Sequence, residues 1–173
     1  MIKVRKGFTL IELIITLAIL GIMLSAIFMF FNFNTKSLSQ ANLEIELQSE
    51  GEKVIEQITN ISIQSSKITQ VIGLDDSALS GNISGLLSGG LLPIKAIVFE
   101  KDTEEYKFQL EADKSLHLYH NLTDAVIAKN IDKLMIKPPG GTFNASSLRS
   151  IDIKVKLGNS KSLSTQIFLR NHE

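Results

Sequence analysis

The sequence predicts an α+β fold: one long N-terminal helix, apolar at first and amphipathic afterwards, followed by an antiparallel β-sheet. Three observations carry this. Residues 8–33 form an almost unbroken apolar run; a stripe of apolar and small residues at three- and four-residue spacing extends as far as Ile72; and from Ile94 onward short apolar-rich runs are separated by turn residues. A chain of 173 residues suffices for one domain of ordinary size with an appended element.

The first seven residues, Met-Ile-Lys-Val-Arg-Lys-Gly, are short and basic. Among the 26 positions that follow, only Thr9, Glu12, Thr16, Gly21, Ser25 and Asn32 are not apolar. As a helix this run spans roughly 39 Å at about 1.5 Å per residue, enough to cross a hydrocarbon core of about 30 Å with tilt. Lys3, Arg5 and Lys6 stand in front of it with no matching basic cluster just behind Phe33, which places the N-terminus in the cytoplasm. A cleaved secretory signal has a shorter core and a small-residue site after it. The segment NFNTKS at 32–37 offers no such site. A plain signal anchor fits the length and leaves Glu12 unexplained, because a carboxylate in a membrane helix is costly and marks function by default. The bland alternative has Glu12 near enough to the membrane edge to reach water.

The run Lys6-Gly7-Phe8-Thr9-Leu10-Ile11-Glu12-Leu13 resembles the processing and assembly signature of type IV prepilins and type II secretion pseudopilins. Its parts come in fixed order: a basic leader, Gly, an aromatic residue, a Thr-Leu-Ile run, Glu five residues after the cut, then a long apolar stretch. The resemblance is strong over about residues 5–33. It implies a membrane-held subunit with a type IV pilin-like fold. A prepilin peptidase would cut between Gly7 and Phe8, where a residue without a Cβ lets the backbone lie close in the protease. The same enzyme would methylate the new amine of Phe8. Glu12 would then face the cationic amine of a neighbouring subunit in an apolar bundle, a charge pair whose breaking leaves one buried charge uncompensated. The implied partners are other pilin or pseudopilin subunits, an inner-membrane assembly platform and, before assembly, the lipid bilayer. The implied route is single-pass insertion in the bacterial inner membrane followed by an extracytoplasmic filament. Major pilins commonly carry Gly and then Pro in this helix. Gly21 takes the first place, for helix flexibility or close packing, and Met29 stands where Pro is usual.

Residues 34–72 are expected to continue the helix. Leu43, Leu47, Gly51, Val54, Ile58, Ile61, Ser65, Ile68 and Ile72 define one face, and Glu44, Glu50, Lys53, Glu56, Gln57 and Asn60 the other. Gly73 is a plausible stop, although 68–72 also suits a strand. A Gly/Ser-rich stretch over 73–93 reads as a loop with a short helical turn at 77–80; Asp75 and Asp76 alone do not specify a calcium site. Strands are expected at 94–100, 105–111, 115–120, 125–128, 131–137, 151–157 and 163–169. Turns fall at 112–114 and 158–161, and Pro138, Pro139, Gly140 and Gly141 close the fifth strand. The whole divides into a leader at 1–7, an assembly helix at 8–33, its amphipathic continuation at 34–72, the loop at 73–93 and a sheet region at 94–173. This layout is similar to that of minor pilins and J-type minor pseudopilins.

Function classes narrow accordingly. Eighteen basic residues balance eighteen acidic ones, and removal of the leader leaves a mildly acidic chain, so no general nucleic-acid surface is indicated. Lys154, Lys156 and Lys161 with Arg149 and Arg170 form at most a small basic patch, which reads as a solvated face before it reads as DNA binding. Without Cys there are no disulfides or thiolate metal sites. His117 and His120 lie three apart in a strand and point to opposite faces, which argues against a shared metal. No nucleotide, metalloprotease or hydrolase fingerprint is present, so no cofactor and no catalytic residue are assigned. The reading is a structural subunit of a type IV pilus or a related secretion or competence filament. The alternative is a signal-anchored extracytoplasmic binding or adhesion domain that does not polymerise.

Overall fold

The computed structural model describes residues 9–79, 90–137, 148–158 and 161–170. The cleavage junction Gly7 and Phe8, residues 80–89 of the Gly/Ser-rich stretch and the 138–141 stop fall outside them. Helix α1 runs Leu10–Gln64. Eight strands follow: β1 Lys67–Gly73, β2 Leu92–Lys101, β3 Glu104–Leu110, β4 Leu116–His120, β5 Thr123–Ala128, β6 Ile131–Lys137, β7 Ser150–Leu157 and β8 Lys161–Phe168. The architecture is therefore the α+β one that the sequence predicts. By its contacts the chain divides at Glu44 and Ile45 into two units.

In the first unit α1 is apolar all round as far as Phe33. Its large side chains from Leu10 to Phe33 are all more than half exposed, which is the surface of a helix meant for lipid or for a bundle rather than for water. It is the one helix among the described residues long and apolar enough to cross a membrane.

In the second unit every strand pairing is antiparallel, in the order β5-β4-β3-β2-β6-β7-β8, with β1 also on β2. Strand β2 is central because it carries apolar residues on both faces; Ile94, Ala96, Ile97, Val98 and Phe99 are all buried. Its start pairs with β6 through Leu92, Pro93 and Ile94, while β1 covers the same edge further along, from Ile94 to Glu100. The turn joining β2 and β3 is the tight pair Asp102-Thr103, both at positive φ, the twist that a two-residue hairpin needs. Asn121 and Asn130 take positive φ in the β4–β5 and β5–β6 connections, where their short polar side chains tolerate the left-handed region.

The helix packs on this sheet through Gly51, Val54, Ile58 and Ser62, all buried. Gly51 is minimal in size for a reason: a Cβ there would overlap Leu163 Cδ1 and come to 2.8 Å from Leu157 Cδ1. Glu50 adds a polar tie, accepting the backbone N–H of Lys129 at 2.7 Å from 79 positions away. Phe99 and Phe108 meet edge-on at 6.1 Å in the core beneath.

The helix ends earlier than the stripe to Ile72 predicts. Ser65 N–H still reaches Ser62 O at 3.0 Å in a tightened last turn, but Ser66 N–H turns to Glu100 O at 2.8 Å and opens β1. Residues 68–72 are strand, as their β-branched content allows. The described part of the expected 77–80 turn is not helical; Ala78 bridges Ile72 instead. Asp75 accepts from the Ser77 hydroxyl at 2.7 Å and Asp76 pairs with Lys95, so both carboxylates are used in closing this turn.

Candidate functional site at the helix N-terminus

Thr9 is the residue just before α1 and Glu12 sits in its first turn. Thr9 N–H donates to Glu12 Oε2 at 2.9 Å, the Thr9 hydroxyl donates to the same oxygen at 2.9 Å, and Glu12 N–H approaches Thr9 Oγ1 at 3.4 Å. Leu13 N–H closes the first turn on Thr9 O at 3.3 Å. This is a reciprocal capping box, in which two backbone donors without partners inside the helix are satisfied by the paired side chains. A carboxylate there also complements the positive end of the helix dipole. In the single chain, then, Glu12 has a partner in its own helix start. Thr9 enters the sequence reading only as part of the signature; its capping role is signalled by the pattern Thr-x-x-Glu ahead of an apolar run.

Gly21 lies within unbroken helix, and a Cβ there would meet nothing within 4 Å. No packing in the isolated chain therefore demands glycine at this position. Ser25 returns its hydroxyl to Gly21 O at 2.7 Å, a back-bond that favours bending. Thr16 does the same to Glu12 O at 2.9 Å. The polar residues of the apolar run thus hide their hydroxyls against the backbone, as a helix in lipid requires. Gly7 and Phe8 precede the described residues.

A second polar cluster lies on the sheet, around the two histidines of β4. His117 and His120 occupy opposite faces of β4, as expected. His120 Nε2 meets Glu104 at 2.7 Å, and its ring stacks on Tyr106 at 4.0 Å between centroids. Across the strand His117 Nδ1 meets Asp124 at 2.6 Å, while its Nε2 lies 2.8 Å from Ser115 Oγ. The connectivity of Ser115, His117 and Asp124 is that of a hydrolytic relay. Two facts oppose that use. Ser115 is only 3% exposed, and its single hydroxyl proton is donated to Asp113 at 2.5 Å. The hydrogen bonds from the Ser115 side chain and backbone hold the Asp113 carboxyl below its usual range, which keeps it an acceptor. The row ties the β3–β4 turn to β4 and β5. Beside it Tyr119 donates to Glu111 at 2.9 Å, and this bond, with burial and nearby carboxylates, pushes the phenol up to about 12. Among the described residues no three His, Cys, Asp or Glu side chains are grouped to hold a metal ion.

Residues 2–28 match the family model described as the prokaryotic N-terminal methylation motif. The match covers the Gly7–Phe8 junction, Thr9, Glu12 and Gly21. No curated protein and no solved structure matched the chain.

Proposed function

We propose that this type IV pilin-like protein is cut after Gly7, methylated on Phe8 and built into an extracytoplasmic filament through its N-terminal helix. The observation that carries the proposal is the methylation motif over residues 2–28, which joins the junction and Glu12 to a helix start whose geometry is defined. The apolar half of α1 supports the rest. Its exposed Leu, Ile, Met and Phe side chains need lipid before assembly and neighbouring helices after it.

In this reading the bilayer holds the chain with its N-terminus in the cytoplasm until the assembly platform extracts it. Cleavage creates an ammonium group at Phe8, one residue before the capping Thr9. In a bundle of such helices the Glu12 carboxylate pairs with the ammonium of an adjacent subunit. Pairing in a water-poor surrounding fixes the axial register, because a slipped subunit would leave a charge uncompensated. Gly21 serves close approach or bending of helices within the bundle. The subunit takes a minor pilin or pseudopilin place, a reading supported by Met29 where a helix-loosening Pro is usual.

Mass spectrometry of the chain recovered from its native membrane tests the processing step. A mature protein beginning at methylated Phe8 is expected. A protein that keeps Met1 would make the chain a signal-anchored domain instead.

A further inference from the structure

The second unit carries opposite charge on two faces that cannot meet within one chain. Lys133 and Lys137 on β6 and Lys154 and Lys156 on β7 project from one side of the sheet, with Asp152 the single acid among them. The register fixes this: Lys133 stands directly opposite Lys156, Lys137 opposite Asp152, and the lysines of each strand are separated by even numbers of residues. Like charges directly across a strand pair disfavour each other. Even so, none of the four lysines forms an ion pair among the described residues. The intervening residues Ile151, Ile153, Val155 and Leu157 are buried on the other side, and that side takes the helix, because Leu157 lies under Gly51. The lysine face is therefore the side of the sheet away from α1.

On the outer side of α1, Glu46, Glu52 and Glu56 are exposed. The one lysine of that stretch, Lys53, is already paired with Glu50 at 2.5 Å. Glu52 and Glu56 are one helical turn apart, about 6 Å along the axis. Lys154 and Lys156 are two strand residues apart, about 7 Å. The two spacings match, and the charges are opposite.

We infer that the acidic face of α1 docks on the lysine face of β6 and β7 in a second copy of this chain. Such a contact uses two different patches, so it is heterologous and repeats into an open helical array rather than closing into a dimer. It rests on the filament reading above and adds a contact between the sheet-bearing units to the one between N-terminal helices. Exposed ion pairs are individually weak, so the contact steers and registers subunits more than it binds them, and added salt weakens it.

The chain has no cysteine, so an engineered pair reports on this contact alone. Full-length chain carrying Glu56→Cys and Lys154→Cys, made in its own host with the assembly machinery, is expected to give dimers and ladders with a short bismaleimide. Either single variant should give no ladder. Lys154→Glu with Lys156→Glu should lower filament incorporation roughly tenfold, and adding Glu52→Lys with Glu56→Lys in the same chain should restore it. Unchanged incorporation of the doubly reversed lysine variant overturns the inference and leaves the filament reading standing. Absence of the unaltered, Phe8-processed chain from any filament removes the filament reading itself. If ladders are absent and the lysine reversal instead abolishes retention of a labelled DNA duplex, the face serves nucleic acid. A cross-link to a different protein likewise overturns the assignment to a second copy.

Discussion

Glu12 carries two duties that one substitution can separate. Its carboxylate closes the capping box with Thr9, and in the proposed filament it carries the charge that pairs with a neighbouring amine. Gln can still complete a capping box but brings no charge. Glu12→Gln is therefore expected to leave helicity by circular dichroism unchanged in detergent while reducing filament incorporation at least tenfold, an order-of-magnitude figure for loss of a buried charge pair. Glu12→Val should lose both. Wild-type incorporation of the Gln variant would reduce Glu12 to a cap. The residue was legible in the sequence because a carboxylate interrupts an apolar run. Its partner Thr9 was less visible, since a hydroxyl among aliphatic residues is unremarkable until the start of the helix is known. The Ser115, His117 and Asp124 row was illegible for a different reason. Its members come from a turn and two strands, and only the register of β4 on β5 brings them together.

At the scale of elements the decisive contact is α1 on the β7–β8 hairpin. Gly51 is the closest approach, so adding bulk there forces Leu157 and Leu163 to move. Gly51→Val should destabilise the folded chain by about 1–3 kcal/mol, the range for overpacking a filled core, read as a lower urea midpoint. Eight residues along, Thr59 buries a hydroxyl that has no hydrogen-bond partner among the described residues. Thr59→Val removes that unpaired group at nearly constant shape, and the expectation is the opposite sign, neutral to about 1 kcal/mol stabilising. The stripe containing Gly51, Val54 and Ile58 was readable from spacing alone. The helix end was not, because β1 contains an irregularity between Ile68 and Gln70. That break lets Ile68 and Val71, three apart, both turn inward and be buried, which reproduces helical spacing inside a strand. The turns at 112–114 and at Gly158 were legible from their residues; the full sheet order was not, since the pairing of β2 with β6 joins segments with no local signal between them.

At the scale of the molecule, several carboxylates favour the folded chain in their ionised form. Glu50 joins helix to sheet through the Lys129 N–H. Burial alone would raise its pKa, but the bond from Lys53 and the Lys129 N–H outweigh this and hold it below the usual value of 4.5. Asp75 and Asp113 are held low by Ser77 and Ser115, and Glu104 by His120. Each group binds its proton less readily folded than unfolded. The stability it contributes is thus fully present above the unfolded carboxylate range and is lost as pH falls through the lower folded values. Urea unfolding followed from pH 7 downward should show a flat plateau, then a fall in midpoint that begins below about pH 4.5, the ordinary glutamate value. Glu50→Gln keeps an oxygen for the Lys129 N–H but removes the titration, so it should start less stable at pH 7 and show a shallower acid limb. An acid limb as steep as that of the unaltered chain would mean that the ionised Glu50 carboxylate adds nothing to holding the helix on the sheet.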